Sequence, residues 1–169
     1  MSRLLRTPGG PFFERENMLK ENMFKMRAMR ETDVRSVIRV EREAYEFPWT
    51  EGIFMDCLRV GYCCRVIESS GGLVGHGVMS IAAEECHLLN ICVRPAHHRR
   101  GLGRRLVIHL LDIARRRRAR VALLEVRRSN TGAYALYSLL GFNEAGIRRN
   151  YYPARRGRED AIVLAKELF

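Results

Sequence analysis

Cys86-His87-Leu88-Leu89-Asn90-Ile91-Cys92-Val93, followed by Arg94-Pro95 and then by His97-His98-Arg99-Arg100-Gly101-Leu102-Gly103-Arg104-Arg105-Leu106, is the stretch on which the fold of this chain turns. Its first eight residues read as a strand, which Pro95 ends. A basic turn with two glycines follows and opens a long helix. The helix carries an apolar stripe at Leu102, Leu106, Val107, Leu110, Leu111 and Ala114, the spacing of one helical face. A turn of this kind aims backbone N–H groups and the positive end of the helix dipole at one spot, which favours a pyrophosphate. Gly101 and Gly103 let phosphate oxygens approach the backbone, and Arg99, Arg100 and Arg104 add positive charge. A dinucleotide-binding turn would need a third glycine where Leu106 stands, together with repeated βαβ units. The lysine of a Walker turn is also missing.

Outward from this stretch, the pattern alternates between sheet and helix. Upstream, Phe24 to Arg30 alternates apolar and basic residues as a strand does. Thr32 or Asp33 is placed to cap a helix with Val34, Val37, Ile38 and Ala44 on one face. Phe47-Pro48-Trp49 breaks that helix, and Thr50 or Glu51 opens a short second one carrying Ile53, Phe54 and Leu58. Strands are expected at about 62–68 and 73–81, joined by Ser69-Ser70-Gly71-Gly72 as a hairpin turn. Downstream, Val121 to Val126 is a strand, and Asn130 caps a helix that points Ala133, Leu136, Tyr137 and Leu140 inward before Gly141 stops it. Phe142 to Arg148 and Ala161 to Ala165 read as the last strands. The order β-α-α-β-β-β-α-β-α-β-β gives a mixed α/β sheet with helices on both faces.

At 169 residues with 47% hydrophobic content, the chain has the size of one domain with one core and too much apolar character for a disordered protein. No apolar run approaches the roughly 20 residues a membrane-spanning helix needs, and no signal-peptide segment is visible, so a cytoplasmic location without membrane contact is the expectation. Residues 1–23, with Pro8-Gly9-Gly10-Pro11 and no sustained period, read as an N-terminal extension to a domain over 24–169, and an upstream start assigned too early is an alternative. Five cysteines without a C-x-x-C spacing suggest buried free thiols, with no metal site and no disulfide framework. The net charge of +11, carried almost wholly by arginine, favours polyanionic partners without choosing among nucleic acid, a ribosomal surface and a phosphate-rich cofactor.

Two further segments carry reactive side chains. In Leu124-Glu125-Val126-Arg127-Arg128-Ser129-Asn130 a strand ends in a carboxylate, which is either a surface charge or a base. In Ala135-Leu136-Tyr137-Ser138-Leu139-Leu140-Gly141-Phe142 the tyrosine is either a core aromatic or an acid.

The sequence from Leu89 to Leu106 resembles motif A of the GNAT acetyltransferases. Leu-Glu-Val-Arg at 124–127 with Ser129-Asn130, the Ala135–Phe142 segment, Phe47-Pro48-Trp49-Thr50, Arg148-Arg149-Asn150-Tyr151-Tyr152-Pro153 and Gly157-Arg158-Glu159-Asp160-Ala161 narrow the resemblance to the RimI family of ribosomal-protein alanine N-acetyltransferases, over about residues 26–168. It implies the GNAT acyl-CoA N-acyltransferase fold, a mostly antiparallel mixed sheet. It implies acetyl-CoA contacts at Ile91, Cys92, Val93, Arg99, Arg100, Gly101, Leu102, Gly103, Arg104 and Asn130, with strand 86–93 splayed from its neighbour to admit the pantetheine arm. One departure stands in the turn, where His98 replaces the Gln or Arg the family often has.

The resemblance further implies direct acetyl transfer to an amine, with Glu125 as general base, acting directly or through water, and Tyr137 as the acid that protonates the leaving thiolate. The implied acceptor is the N-terminal alanine of the eighteenth protein of the small ribosomal subunit. An α-amine of pKa about 7.7–8.0 is roughly one-tenth neutral at pH 7, whereas a lysine at about 10.4 is neutral at well below 0.1%, so a carboxylate base suits the former. Phe47, Pro48 and Trp49 either line the peptide groove or pack as a hinge. Tyr151 and Tyr152 either hold the incoming N-terminus or close a strand. The run Arg115 to Arg118 reads first as a solvated helix end, with RNA contact as the alternative. Competing functions are acetylation of other N-termini or a small amine, and a non-catalytic basic module that binds RNA or a ribosomal surface, which would have no need of Glu125 and Tyr137.

Overall fold

The structure, a computed structural model, describes residues 23–169. Apart from Met23, the expected N-terminal extension lies outside the described residues. Seven strands form one sheet: β1 (Lys25–Ala28), β2 (Cys63–Ser69), β3 (Gly72–Ala82), β4 (Glu85–Val93), β5 (Val121–Arg127), β6 (Asn143–Pro153) and β7 (Arg158–Glu167). Their spatial order is β1-β2-β3-β4-β5-β7-β6. Every pairing is antiparallel except β4–β5. Helices α1 (Val34–Ala44) and α2 (Glu51–Arg59) cover one face, and α3 (Leu102–Arg116) and α4 (Thr131–Leu139) the other. The expected element order and two-sided architecture are both observed.

Local chemistry explains most element ends. The Thr50 side chain accepts from the Ile53 N–H at the start of α2, and Asn130 Oδ1 accepts from the Ala133 N–H at the start of α4, each satisfying a first-turn donor. The entry to α1 differs from expectation. A 3-10 turn at Glu31–Asp33 precedes the helix, and the Asp33 carboxylate accepts from the Arg30 N–H and from Arg27 rather than capping α1. That arrangement ties α1 to β1, and the Arg27 guanidinium holds the Asp33 carboxyl below its usual range.

The stripe on α3 is buried as its spacing requires, with Leu106 and Leu110 fully enclosed. Truncating either to alanine would cost about 2–5 kcal/mol. The sheet beneath is cut away to receive them: a Cβ at Gly77 would lie 2.9 Å from Leu110 Cδ1. All five cysteines are free and buried, as expected. The last two strands run beyond their expected ends; β6 is an edge strand whose side chains are almost all exposed and so shows no alternation to read. A register shift between Arg148 and Tyr152, with Asn150 at φ +50°, carries it past Arg148, where the strand was expected to end.

Candidate active site

The two parallel strands of the sheet part company at its centre. β4 and β5 pair only from Glu85↔Val121 to Leu88↔Leu124, after which neither offers the other a partner. The parting coincides with a bulge: Met79 opposes Leu88 while Val78 opposes Asn90, so Leu89 is an extra residue on β4. Beyond the bulge the Arg94 N–H donates to the Val74 carbonyl at 2.7 Å. In an antiparallel ladder such bonded pairs alternate with non-bonded ones. Cys92 therefore exchanges hydrogen bonds with His76 across the β3–β4 pairing, whereas Ile91 and Val93 turn their N–H and C=O groups to the opposite edge, into the gap. Of the three residues expected to meet the pantetheine arm, two thus present backbone groups there, and Cys92, whose side chain is also buried, does not.

Glu125 is the first β5 residue past the last β4 pairing, at the mouth of the gap. Its side chain is 8% exposed and is held from two sides: His87 Nε2 lies 2.5 Å from Oε2, and Arg148 Nε lies 3.1 Å from Oε1. The strand-end surface charge is thereby set aside, since this carboxylate is enclosed and paired. His87 and Arg148 come from β4 and β6, 38 and 23 positions away in sequence, too far for any local pattern to announce the contact.

Tyr137 is buried on α4, its ring edge-on to Phe142 at 5.8 Å. Burial, with the Tyr152 hydroxyl nearby, pushes its phenol well above the ordinary value, so it stays protonated at any working pH. The Tyr152 hydroxyl donates to the Glu125 carbonyl at 3.0 Å, and burial followed by the Glu125 charge pushes that phenol up to about 12. Tyr151 is more exposed and stacks edge-on with Tyr152 at 4.9 Å.

At the other end of the gap lies the turn into α3. Gly101 stands at its N-cap with φ +74°, a left-handed conformation that favours glycine. Gly103 lies within the first helical turn, where an added Cβ would meet Leu136 at an ordinary 3.5 Å. Leu102 is buried in the core and can offer only its backbone, while Arg99, Arg100 and Arg104 are exposed around the turn. Unpaired backbone donors along β4 and a helix N-terminus ringed by arginines fit a long ligand bearing amides and ending in phosphates. The Asn130 side-chain oxygen is engaged in its cap.

The loop between α1 and α2 forms the opposite wall. The Arg127 guanidinium lies over the rings of Tyr152 and Phe47, at 4.4 and 5.5 Å. Arg155, from the β6–β7 turn, pairs with Glu46 at 2.5 Å, so the two walls touch. Trp49 packs against Phe54 at 5.4 Å, and its backbone N–H donates to Glu41. Trp49 thus packs inward on α2, Phe47 is exposed beneath Arg127, and Pro48 is half-buried between them. A buried polar cluster not expected from the sequence supports this loop: Glu41 accepts from Trp49 N (3.0 Å) and Asn90 Nδ2 (3.1 Å), and meets His76 Nε2 at 2.9 Å.

With this geometry in view, the comparisons with known proteins are direct. The acetyltransferase (GNAT) family pattern matches residues 26–142. The [ribosomal protein bS18]-alanine N-acetyltransferase of Escherichia coli K12 is 42% identical over 134 residues, 79% of this chain and 90% of that protein. The enzyme of the same name from Haemophilus ducreyi is 31% identical over 136 residues, 80% of this chain and 94% of that protein. The crystal structure of the Escherichia coli ribosomal-protein-S18-alanine N-acetyltransferase superposes with a TM-score of 0.82 at 40% identity, covering 86% of this chain and 94% of the other. The splayed strands, the glycine turn and this kinship agree: the chain belongs to the GNAT family of acetyltransferases.

Proposed function

We propose that this protein transfers the acetyl group of acetyl-CoA to the N-terminal α-amine of a protein, the N-terminal alanine of ribosomal protein bS18, in the cytoplasm. The observation that carries the chemistry is the gap between β4 and β5, with an enclosed carboxylate at its mouth, unpaired N–H donors along one wall and a protonated tyrosine beside it. The acceptor assignment rests on the kinship to bS18-alanine N-acetyltransferases.

In this reading the turn at Arg99, Arg100, Gly101, Leu102, Gly103 and Arg104 holds the pyrophosphate, and the open edge of β4 at Ile91 and Val93 holds the pantetheine arm. The acceptor peptide enters between Phe47 and the Tyr151–Tyr152 pair. Its amine nitrogen attacks the thioester carbonyl carbon; the C–N bond forms, the C–S bond breaks, and the electron pair leaves on sulfur. The proton lost by nitrogen goes to Glu125, which has acceptor positions left beyond those facing His87 and Arg148. Tyr137 supplies a proton to the thiolate, and the N–H groups of β4 meet the charge that develops on the carbonyl oxygen.

The test is acetyl transfer to a panel of peptides read by mass spectrometry. The bS18 N-terminal peptide should gain one acetyl group on its α-amine, faster than N-termini of other proteins, lysine side chains or spermidine. Equal rates across the panel would leave only a general amine acetyltransferase.

A further inference from the structure

Arg127 ends β5, two positions beyond Glu125, so strand alternation puts the two side chains on one face of the sheet. Its backbone is fixed by pairing with Ala161 of β7 and by its carbonyl, which accepts from the Asn130 N–H where the chain turns into α4. Its side chain meets four groups. Nη1 donates to the Pro153 carbonyl at 2.8 Å and to Glu159 Oε1 at 2.7 Å, which uses both of its hydrogens. The same guanidinium lies over the rings of Tyr152 and Phe47. Burial works against the Glu159 charge, and the hydrogen bonds from Arg127 and the Ser129 hydroxyl outweigh it, so this carboxyl is held below its usual range. The two rings belong to different walls. Tyr152 is on β6, with its hydroxyl bonded to the Glu125 carbonyl. Phe47 is on the α1–α2 loop, whose start is tied by the Tyr45 hydroxyl donating to the Ile91 carbonyl and whose end is tied by the Trp49 backbone N–H donating to Glu41. The other link between the walls, Arg155 with Glu46, is 84% and 49% exposed, and an ion pair so exposed adds little.

We propose that Arg127 is a positioning residue that sets the spacing of the acceptor groove, holding Tyr152 on one wall and Phe47 on the other to a single guanidinium. The proposal rests on the reading above, in which the acceptor peptide enters between those rings. The role calls for arginine. A planar guanidinium donates in its plane to Pro153 and Glu159 and keeps its flat faces for aromatic rings, whereas a lysine ammonium offers charge and donors but no face. Arg127 is paired with Glu159, so it brings little net charge to the place where the amine arrives. Its contribution is the shape of the groove, which is felt when the peptide binds and much less in the chemical step.

Arg127→Lys and Phe47→Leu, singly and together, test the proposal by steady-state transfer to the bS18 peptide at saturating acetyl-CoA, with calorimetry for acetyl-CoA and thermal melts to establish folding. Each single change should raise the peptide KM about three- to tenfold, the worth of a cation–π contact at a partly exposed site. kcat and the acetyl-CoA Kd should stay within about twofold. Both changes act on one contact, so the double variant should raise KM by less than the product of the single effects. A folded Arg127→Lys with unchanged peptide KM overturns the proposal, even if its melting temperature falls, because the arginine would then only stabilise the fold. A double variant in which the two effects multiply overturns it as well. Nuclear magnetic resonance of protein carrying 13C-labelled phenylalanine reads the spacing without any acceptor. In Arg127→Lys the Phe47 ring signals should move toward those of an unfolded chain, and unchanged signals overturn the proposal. If the unaltered protein acetylates no peptide while those signals move, the acceptor reading fails and Arg127 still holds the two walls together.

Discussion

Among the described residues two carboxylates, Glu41 and Glu125, are enclosed, one on each side of the central strand β4, and they are enclosed differently. Glu41 on α1 is 1% exposed and meets protein at every turn: Trp49 N–H and Asn90 Nδ2 at one oxygen, His76 Nε2 at the other. Glu125 on β5 is 8% exposed, is held by only two side chains, and sits where two strands separate. The first is the hub of a buried network tying the α1–α2 loop, β3 and the β4 bulge into one piece. The second is held in place and left with an open side. A buried charge with every partner in the protein is a structural device, while a buried charge facing a gap is positioned for something that arrives.

The sharpest way to break this contrast is to remove Glu41. Glu41→Leu fills the space and leaves three polar groups without their partner, which should cost about 3–5 kcal/mol of stability, read from chemical unfolding. A loss under about 1 kcal/mol would mean that Glu41 holds nothing together.

Next comes Tyr137→Phe, which keeps the ring against Phe142 and deletes the proton donor. With acetyl-CoA affinity retained, kcat should fall about 100-fold, the lower range for losing a general acid. A variant destabilised by about 0.5–1.5 kcal/mol yet fully active would identify the hydroxyl as a core hydrogen bond and nothing more.

A smaller effect is expected at the phosphate turn. Gly101→Asp forces a non-glycine residue to φ +74° and sets a negative charge beside the ligand's phosphates. Acetyl-CoA affinity should weaken by about tenfold or more, equivalent to roughly 1.4 kcal/mol, in calorimetry. Unchanged affinity in a folded variant would remove the pyrophosphate from this turn.

The two carboxylates also differ in how visible they are before folding. Glu125 stands in Leu124-Glu125-Val126-Arg127, a segment whose family resemblance marks it, and the strand, glycine turn and helix of residues 86–116 announce themselves by local spacing. The hairpin at Ser69–Gly72 and the caps at Thr50 and Asn130 are local in the same sense, and each is observed. Glu41 reads as one more charge on an amphipathic helix. Its partners His76 and Asn90 lie 35 and 49 positions away, and periodicity reports which face a residue is on, not what it meets there. The contacts of His87, Arg148 and Tyr45 were not legible for the same reason. The one signal available for Tyr45 was an aromatic two residues before the Phe47-Pro48-Trp49 break, beside the charged end of a helix. Asp33 misled because a residue of the right type at the right place turned to Arg27, whose nearness depends on β1.

The measurement that bears most directly on the central claim is acetyl transfer to the bS18 peptide by Glu125→Gln across pH 6 to 9, with acetyl-CoA affinity and melting temperature measured on the same preparation. The substitution keeps shape and removes basicity. If Glu125 receives the proton from the amine, turnover should fall about 10²- to 10⁴-fold, with affinity and stability little changed. Near-normal turnover across that range, with the variant folded and binding acetyl-CoA, would contradict the account and leave Glu125 a structural partner of His87 and Arg148.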